Sequence, residues 1–414
     1  MRHSILRAVL LPVVLFAGFA APSPAAAKSF AIVSLVSSSQ CRPDLPGCSP
    51  WYFEAPGDGG PVIDGDAVVF VSRSTSPGGN YDGLWSIDVK SGNIKKLAGL
   101  DMPIPGGSSN FAGLGGGQSI GGEVVVFTGF DANSAGGIYT VGAHGGPIQT
   151  IVNGATAAPD GGSFKSWQQT RTDGRQVVFY GQTTTGRQGI YVANIDGTGL
   201  ATVADDNTQV DDQDRWSLER GPGFYSVYMR PVIGRGLISF YATENLDPSL
   251  FPNAILQGPG FADIADTLTV LAGDPTPPQS VHVAIGGLSA AAGSHELAFF
   301  GSDNSGAFSG IFAAAPAGSA GAFATNQTVL ADGGQLIGFF GFSRDRSGLV
   351  FAALDAANNQ SVYFTPRVGG PISRVASSTD YYLPSVTDRA LSKGRITFFN
   401  GTIYENAIYL ATPK

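Results

Sequence analysis

Apolar and polar positions alternate along this chain in short runs, and the runs come in groups. In one recurring run a small or β-branched residue precedes Phe. It stands at Val69-Phe70, Val126-Phe127, Val178-Phe179, Ala298-Phe299 and Val350-Phe351, with weaker copies at Ser239-Phe240 and Thr397-Phe398. A second run follows each copy 11 to 16 residues later. It carries an aliphatic-aromatic pair: Leu84-Trp85, Ile138-Tyr139, Ile190-Tyr191, Ile311-Phe312, Val362-Tyr363 and Ile408-Tyr409, with Ile255-Leu256 as a weak copy. A short run before the Phe phrase (Pro61-Val62-Ile63, Gln118-Ser119-Ile120, Pro231-Val232-Ile233) and an alternating run after the second phrase (Ile94 to Ala98, Ile148 to Val152, Leu200 to Ala204, Leu268 to Ala272, Gln327 to Ala331, Ile372 to Ala376) complete each group. The runs are β-branched, aromatic, too short for helices and punctuated by Gly, Asn, Asp and Pro. Each group therefore predicts four strands, and the chain is all-β.

Repetition of one supersecondary unit predicts stacked or radially arranged units. The seventh unit, after Ile408-Tyr409-Leu410, has no fourth strand. A spare alternating strand stands at the front, in residues 30–36, Phe-Ala-Ile-Val-Ser-Leu-Val. Pairing it with the last unit closes a ring and removes an exposed sheet edge. The expectation is a seven-bladed β-propeller of four-stranded blades, with residues 61–410 as blades and the N-terminal strand closing the last one.

Units reading Val-Val-Phe, Gly-Ile-Tyr and Leu-x-x-Val-Ala-Asp-x-x-Thr resemble secreted bacterial β-propeller repeats and are similar in plan to TolB-like propellers. Gly137-Ile138-Tyr139, Gly189-Ile190-Tyr191 with Val203-Ala204-Asp205, and Leu97 to Leu100 followed by Pro105-Gly106-Gly107 carry the likeness. It implies a propeller over about residues 60–410 and leaves the activity open, because propellers host unrelated functions.

The first residues change the picture of where the protein works. Arg2 and Arg7 precede an apolar run from Ala8 to Ala21, and Ala25-Ala26-Ala27 precede Lys28. This predicts a signal peptide over residues 1–27, with 28–414 as a single exported domain, periplasmic or extracellular. The competing reading is an uncleaved anchor, but the run is short for a span, which needs about 20 apolar residues. No span is expected in the mature chain, and a monomer is expected. The only two cysteines, Cys41 and Cys48, predict one local disulfide in a loop and linker over residues 41–60. A net charge of −8 argues against nucleic acid and anionic lipid as partners.

Candidate chemistry is sparse. His144, His282 and His295 fall in different units without ligand spacing. Gly115-Gly116-Gly117 lacks the Lys-Ser/Thr of a phosphate loop, and Gly341-Phe342-Ser343 lacks the closing Gly of a nucleophile elbow. Trp51-Tyr52-Phe53 is either a binding patch or a plug packed on the ring.

The link between the third and fourth units is the outlier. It holds Asp211, Asp212, Asp214, Trp216, Arg220, Tyr225 and Tyr228. Carboxylates beside aromatic faces suit a ligand held by hydrogen bonds and stacking, so these seven residues are the expected ligand-binding set, assisted by the loops Ser74 to Asp82 and Thr243 to Asn253. Asp205, Asp206 and Asp211 are a candidate Ca²⁺ set, though without the EF-hand spacing; otherwise no cofactor is expected. The bland reading of the link is a solvated acidic loop. No catalytic residue is assigned. The leading expectation is a non-enzymatic exported module that binds or scaffolds a protein or glycan partner. The alternative is a propeller hydrolase or lyase acting on a sugar or related substrate at the channel mouth, which requires acids and Arg or His gathered from several blades around the axis.

Overall fold

The computed structural model describes residues 28–45, 47, 50–53, 60–73, 81–205, 208, 216–217, 231–234, 236–244, 254–259, 269–272, 282–290, 297–303, 307–314, 321–381, 384–401 and 406–414. Among these residues every regular element is a strand. Six antiparallel sheets are each built from consecutive strands, and the first sets the pattern: Val62–Asp64, Ala67–Ser72, Gly83–Asp88 and Ile94–Gly99 pair in sequence order. A further sheet is composite. Leu391–Ser392, Arg395–Gly401 and Asn406–Pro413 pair in order, and Phe30–Ser37 adds outside Asn406–Pro413. The first strands of successive sheets touch one another in a closed cycle, so they line a central axis. This is a β-propeller.

The expectation of a seven-bladed propeller of four-stranded blades needs correction. Six blades come from consecutive strands, and the remaining sheet is assembled from the two ends of the described chain. Two of the six have five strands rather than four. In the second sheet the inner edge is split into Gly113–Leu114 and Ser119–Gly121, with Gly115 to Gly117 between them. Gly117 has φ +83°, a value that breaks a strand and that glycine adopts without a Cβ penalty. In the fourth sheet Trp216–Ser217 and Val232–Gly234 both pair with Leu237–Glu244.

The repeated phrases are cross-strand partners. Phe70 stands opposite Trp85, Phe127 opposite Tyr139, Phe179 opposite Tyr191, Phe299 opposite Phe312, Phe351 opposite Tyr363 and Phe398 opposite Tyr409. Ring centroids lie 5.7 Å apart for Phe179 and Tyr191 and 5.3 Å apart for Phe398 and Tyr409. Such aromatic pairs add about 0.5–1.5 kcal/mol beyond their buried area. The weak copy keeps the register with an aliphatic partner, Phe240 opposite Leu256. A register shift recurs in all six consecutive sheets where the third strand meets the fourth, as at Leu84/Trp85 and Ile190/Tyr191. A bulge at this place raises the local twist and turns the outer strand.

Trp51 and Phe53 are buried. Trp51 packs edge-on against Phe70 and Trp85, at 5.5 and 4.9 Å, so this segment is a plug and not an exposed patch. Cys41 is disulfide-bonded, and Cys48 lies outside the described residues. Residues 1–27 also lie outside them. No helix of the described residues is long and apolar enough to cross a membrane.

Polar contacts staple the composite sheet to the first. The Ile63 amide donates to the Arg389 carbonyl at 2.9 Å, and Thr387 Oγ1 donates to the Pro61 carbonyl at 2.8 Å. Arg395 pairs with Asp66 at 2.7 Å, and Lys90 reaches the other Asp66 oxygen. The hydrogen bonds from Lys90 and Arg395 hold the Asp66 carboxyl down at about 2, against an ordinary value of 3.8. A depressed folded-state value stabilises fully above the unfolded value and loses that contribution as pH falls through the folded one. Asp66→Asn is therefore expected to melt below the wild type at neutral pH, with the gap closing as pH falls from 3.8 to about 2. Thermal melts of both proteins across this range check it. A gap that persists unchanged at the acid end would contradict the assignment.

Candidate active site at the channel mouth

A cavity of about 590 Å³ opens at one end of the axis. The turns between the first and second strands of several sheets build it. Ile63-Asp64 comes from the first sheet, Ile120-Gly121-Gly122 from the second, Asp173 from the third, Arg344 to Ser347 from the sixth, and Arg389 with Leu391 to Lys393 from the composite sheet. Asp64, Asp173 and Asp345 occupy the same place in their repeats, the residue that ends or follows the inner strand. The topology thus brings three carboxylates from three sheets to one cavity.

These carboxylates differ in how far they are committed. Asp173 Oδ1 accepts from the amides of Arg175 and Gln176, and its Oδ2 accepts from the Gly236 amide of the next sheet at 3.0 Å. That residue closes its own turn and joins two blades. Asp345 Oδ1 accepts from the Ser347 amide at 2.7 Å and from the Ser347 hydroxyl. Its Oδ2 makes no hydrogen bond among the described residues. Among the described residues Asp64 has only long hydrogen bonds, 3.4 Å from the Glu123 amide and 3.4 Å from Ser392 Oγ. Asp64 and Asp345 are therefore the two carboxylates placed to exchange a proton with a molecule in the cavity.

Cations face them. Arg344, Arg346, Lys393 and Arg389 line the same cavity. Arg344 lies over the Phe323 ring, with 4.9 Å between guanidinium carbon and ring centroid. Arg389 reaches across the axis and donates from Nη2 to the carbonyls of Thr172 and Ile233, at 3.0 and 3.1 Å. Burial holds its pKa below the usual arginine value; Arg171 adds to the effect and Asp388 opposes it. The Asp388 carboxylate is taken by Arg171, whose Nε donates to Oδ2 at 2.5 Å. Lys393 has φ +51°, where the first and second sheets place Gly65 and Gly122 at +56° and +53°. A non-glycine residue in this region is uncommon, and such outliers concentrate at functional sites.

The residues expected to bind a ligand are elsewhere. Asp211, Asp212, Asp214, Arg220, Tyr225 and Tyr228 lie outside the described residues, as does Asp206. Trp216 is described only as a strand residue paired with Glu244. Asp205, named as a Ca²⁺ ligand, ends the fourth strand of the third sheet. Its Oδ1 accepts from Thr208 Oγ1 at 2.9 Å, and its Oδ2 pairs with Arg187 at 3.1 Å. The same turn recurs at Asn153 with Thr156 and at Thr325 with Thr328, so Asp205 has the role of its counterparts in the repeat. Among the described residues no group of three His, Cys, Asp or Glu could hold a metal. His144 is exposed, and its carbonyl accepts from Lys95 Nζ at 2.6 Å.

The signal for the axial site is in the sequence. Ile63-Asp64-Gly65, Thr172-Asp173-Gly174 and Arg344-Asp345-Arg346 align once the inner strands are superposed on the repeat. The first-strand turns read as ordinary turn chemistry one at a time, which hides the recurrence.

No family model matches the chain, and no curated protein matches it. Solved structures do. The β-propeller domain of the Trilobed protease from Pyrococcus furiosus is 9% identical, with a TM-score of 0.52 over 88% of this chain and 97% of that one. The acylaminoacyl peptidase of Pyrococcus horikoshii is 10% identical, with a TM-score of 0.53 over 88% of this chain. There the match takes in 52% of the other chain, so this protein spans about half the length of that peptidase. A TolB-type protein from Agrobacterium tumefaciens is 10% identical, with a TM-score of 0.37 over 86% of this chain and 90% of that one. The likeness to other propellers holds at the level of the fold.

The expectation of a non-enzymatic scaffold is corrected here. It rested on the view that polar residues do not recur at matching positions around the axis. The structure gathers Asp64, Asp173, Asp345, Arg344 and Arg389 from four sheets at one mouth, which is the arrangement the enzyme alternative requires.

Proposed function

We propose that this protein is an exported propeller enzyme, a hydrolase or lyase acting on a sugar or related substrate at the channel mouth. The observation that carries this reading is the convergence of Asp64 and Asp345 with Arg344, Arg389 and Lys393 in one cavity. Its volume of about 590 Å³ is in the range of small-molecule sites, about 300–1,000 Å³. Either carboxylate can act as general base or acid, and the guanidinium groups stabilise negative charge that develops on the substrate. Rings of this type occur within a protease and a peptidase among the similar structures, which places the fold in hydrolytic company. Export follows from the leader expected over residues 1–27, and a Cys41–Cys48 disulfide fits an oxidising compartment.

The test is a turnover screen of the mature protein on neutral and acidic oligosaccharides, with short acyl-peptides as a second panel. New reducing ends report hydrolysis, and ultraviolet absorbance of an unsaturated product reports elimination. Turnover on a saccharide is the expected result. Cleavage of the acyl-peptides alone would move the substrate class, and no turnover on either panel would contradict the reading.

A further inference from the structure

The link that enters the composite sheet runs through the middle of the ring. Toward the first sheet, Thr387 Oγ1 donates to the Pro61 carbonyl and the Arg389 carbonyl accepts from the Ile63 amide. Toward the third and fourth, Arg389 Nη2 donates to the Thr172 and Ile233 carbonyls, and the Asp388 carboxylate accepts from Arg171 Nε. Toward the fifth, the Asp388 carbonyl accepts from Ser289 Oγ at 3.4 Å. Toward the sixth, the Leu391 amide donates to Ser343 Oγ at 3.2 Å. A short segment that reaches five other sheets of a ring lies on its axis. Ser289, itself buried, also accepts from the Arg344 amide at 3.0 Å, so one hydroxyl joins the fifth sheet, the sixth and the link. Two glycines make room for the link. Gly341 interrupts the inner strand Leu336–Asp345 with φ +64°, at the register shift between Phe340 and Phe342. A Cβ there would overlap the Val386 carbonyl oxygen, and a Cβ at Gly60 would overlap the Thr387 methyl group. Glycine where another backbone approaches closely is a packing requirement and not a loose joint.

We propose that residues 386–391 form an axial crossbar, a lock that ties the composite sheet to five others and closes the channel beneath the cavity. The cavity ends on the crossbar, whose Arg389 and Leu391 line it, so a molecule bound there enters and leaves by one mouth. Through Ser289 and Ser343 the crossbar also fixes the spacing between Arg344-Asp345 of the sixth sheet and Lys393 of the composite one. The lock holds whether or not the site is catalytic.

The crossbar carries its own reporter, because Arg389 is a trypsin site. Irregular links are the usual places of proteolytic nicking, and native-state cleavage tracks the population of the open form. Trypsin digestion of the full mature chain, followed by mass spectrometry, should cut the exposed turn at Arg367 early and leave the bond after Arg389 intact. Gly341→Ala should lower the melting temperature more than Gly333→Ala. Gly333 has φ +84° in the turn before the same strand, with open space where its Cβ would stand, so the difference isolates the contact with the crossbar. Of these two variants only Gly341→Ala should release cleavage at Arg389. If Gly341→Ala does not fold, Thr387→Val decides. It keeps the side-chain shape, removes the bond to Pro61 and should speed cleavage at Arg389 about threefold or more. Wild-type cleavage at Arg389 as fast as at Arg367, equal melting of the two alanine variants, or unchanged cleavage in Thr387→Val would overturn the proposal.

Discussion

Removing residues 28–37 is expected to destroy the native ring. Phe30–Ser37 pairs with Asn406–Pro413 over seven partner pairs, from Phe30 opposite Pro413 to Ser37 opposite Ala407. The Lys414 amide also donates to the Ser29 carbonyl at 3.0 Å. Each lost backbone hydrogen bond costs about 0.5–1.5 kcal/mol net. Exposing Val36, which is fully buried, adds about 1.5–3 kcal/mol. The summed loss, several kcal/mol, approaches the marginal stability of an ordinary domain, about 5–15 kcal/mol. The truncation also leaves Asn406–Pro413 as an unpaired edge, a template for pairing with other chains. The expected outcome is aggregation, or a melting temperature lower by about 10 °C or more, and partial rescue by the 28–37 peptide added in trans. Size-exclusion chromatography and thermal melts check it. A soluble truncation with unchanged melting would show that this strand does not hold the ring.

The second large effect is expected at Arg42→Ala. Arg42 follows Cys41, and its side chain is almost wholly buried. Nη1 donates to both Asp82 oxygens at 2.8 and 3.0 Å, and Nε and Nη2 donate to Asp44 at 3.1 and 3.0 Å. The guanidinium also lies beside the Trp51 and Trp85 rings, at 5.6 and 5.5 Å from their centroids. Burial acts to lower the Arg42 pKa, but the hydrogen bonds it donates to Asp44 and Asp82, with their charges, outweigh it and raise the value. Alanine leaves the Asp82 carboxylate buried with, among the described residues, only a 3.4 Å side-chain contact from Ser72 Oγ. Breaking a buried pair in this way costs about 3–5 kcal/mol. Denaturant titration should show that loss, and Arg42→Met combined with Asp82→Leu should recover part of it. A loss below about 1 kcal/mol would place the pair among weakly contributing surface bridges.

The fold was legible because it depends on period. Phe179 and Tyr191 advertise two strands by composition, and the structure shows them as one cross-strand pair. The spare strand was legible because the last unit lacked a partner. Uniform blades were not a sound inference from the repeat, since Gly115 to Gly117 interrupts an inner edge in a way that pattern alone does not reveal. The axial site was harder. Asp64, Asp173 and Asp345 lie about one hundred residues or more apart, each in an Asp-containing turn that needs no function to explain it. Only ring closure brings them to one mouth. Arg389 was invisible for a different reason. It falls in an irregular link before Leu391–Ser392, and its role depends on carbonyls of two other sheets. The acidic link at 205–228 drew attention by its composition, but the one of its carboxylates that is described, Asp205, serves the repeat.

The account stands or falls on whether chemistry happens at the axial mouth. The most direct measurement is kcat/KM of Asp345→Asn and Asp64→Asn on the saccharide found by the turnover screen, with melting temperatures taken in parallel. Asparagine keeps the Oδ1 acceptor that Ser347 uses, so the Asp345 turn is preserved. The account predicts that at least one of the two substitutions lowers kcat/KM by about 10²–10⁴-fold, the usual effect of losing a general acid or base, with melting unchanged. Full activity in both variants, with activity lost instead on Trp216→Ala combined with Asp212→Ala, would contradict it and return the site to the link between the third and fourth sheets.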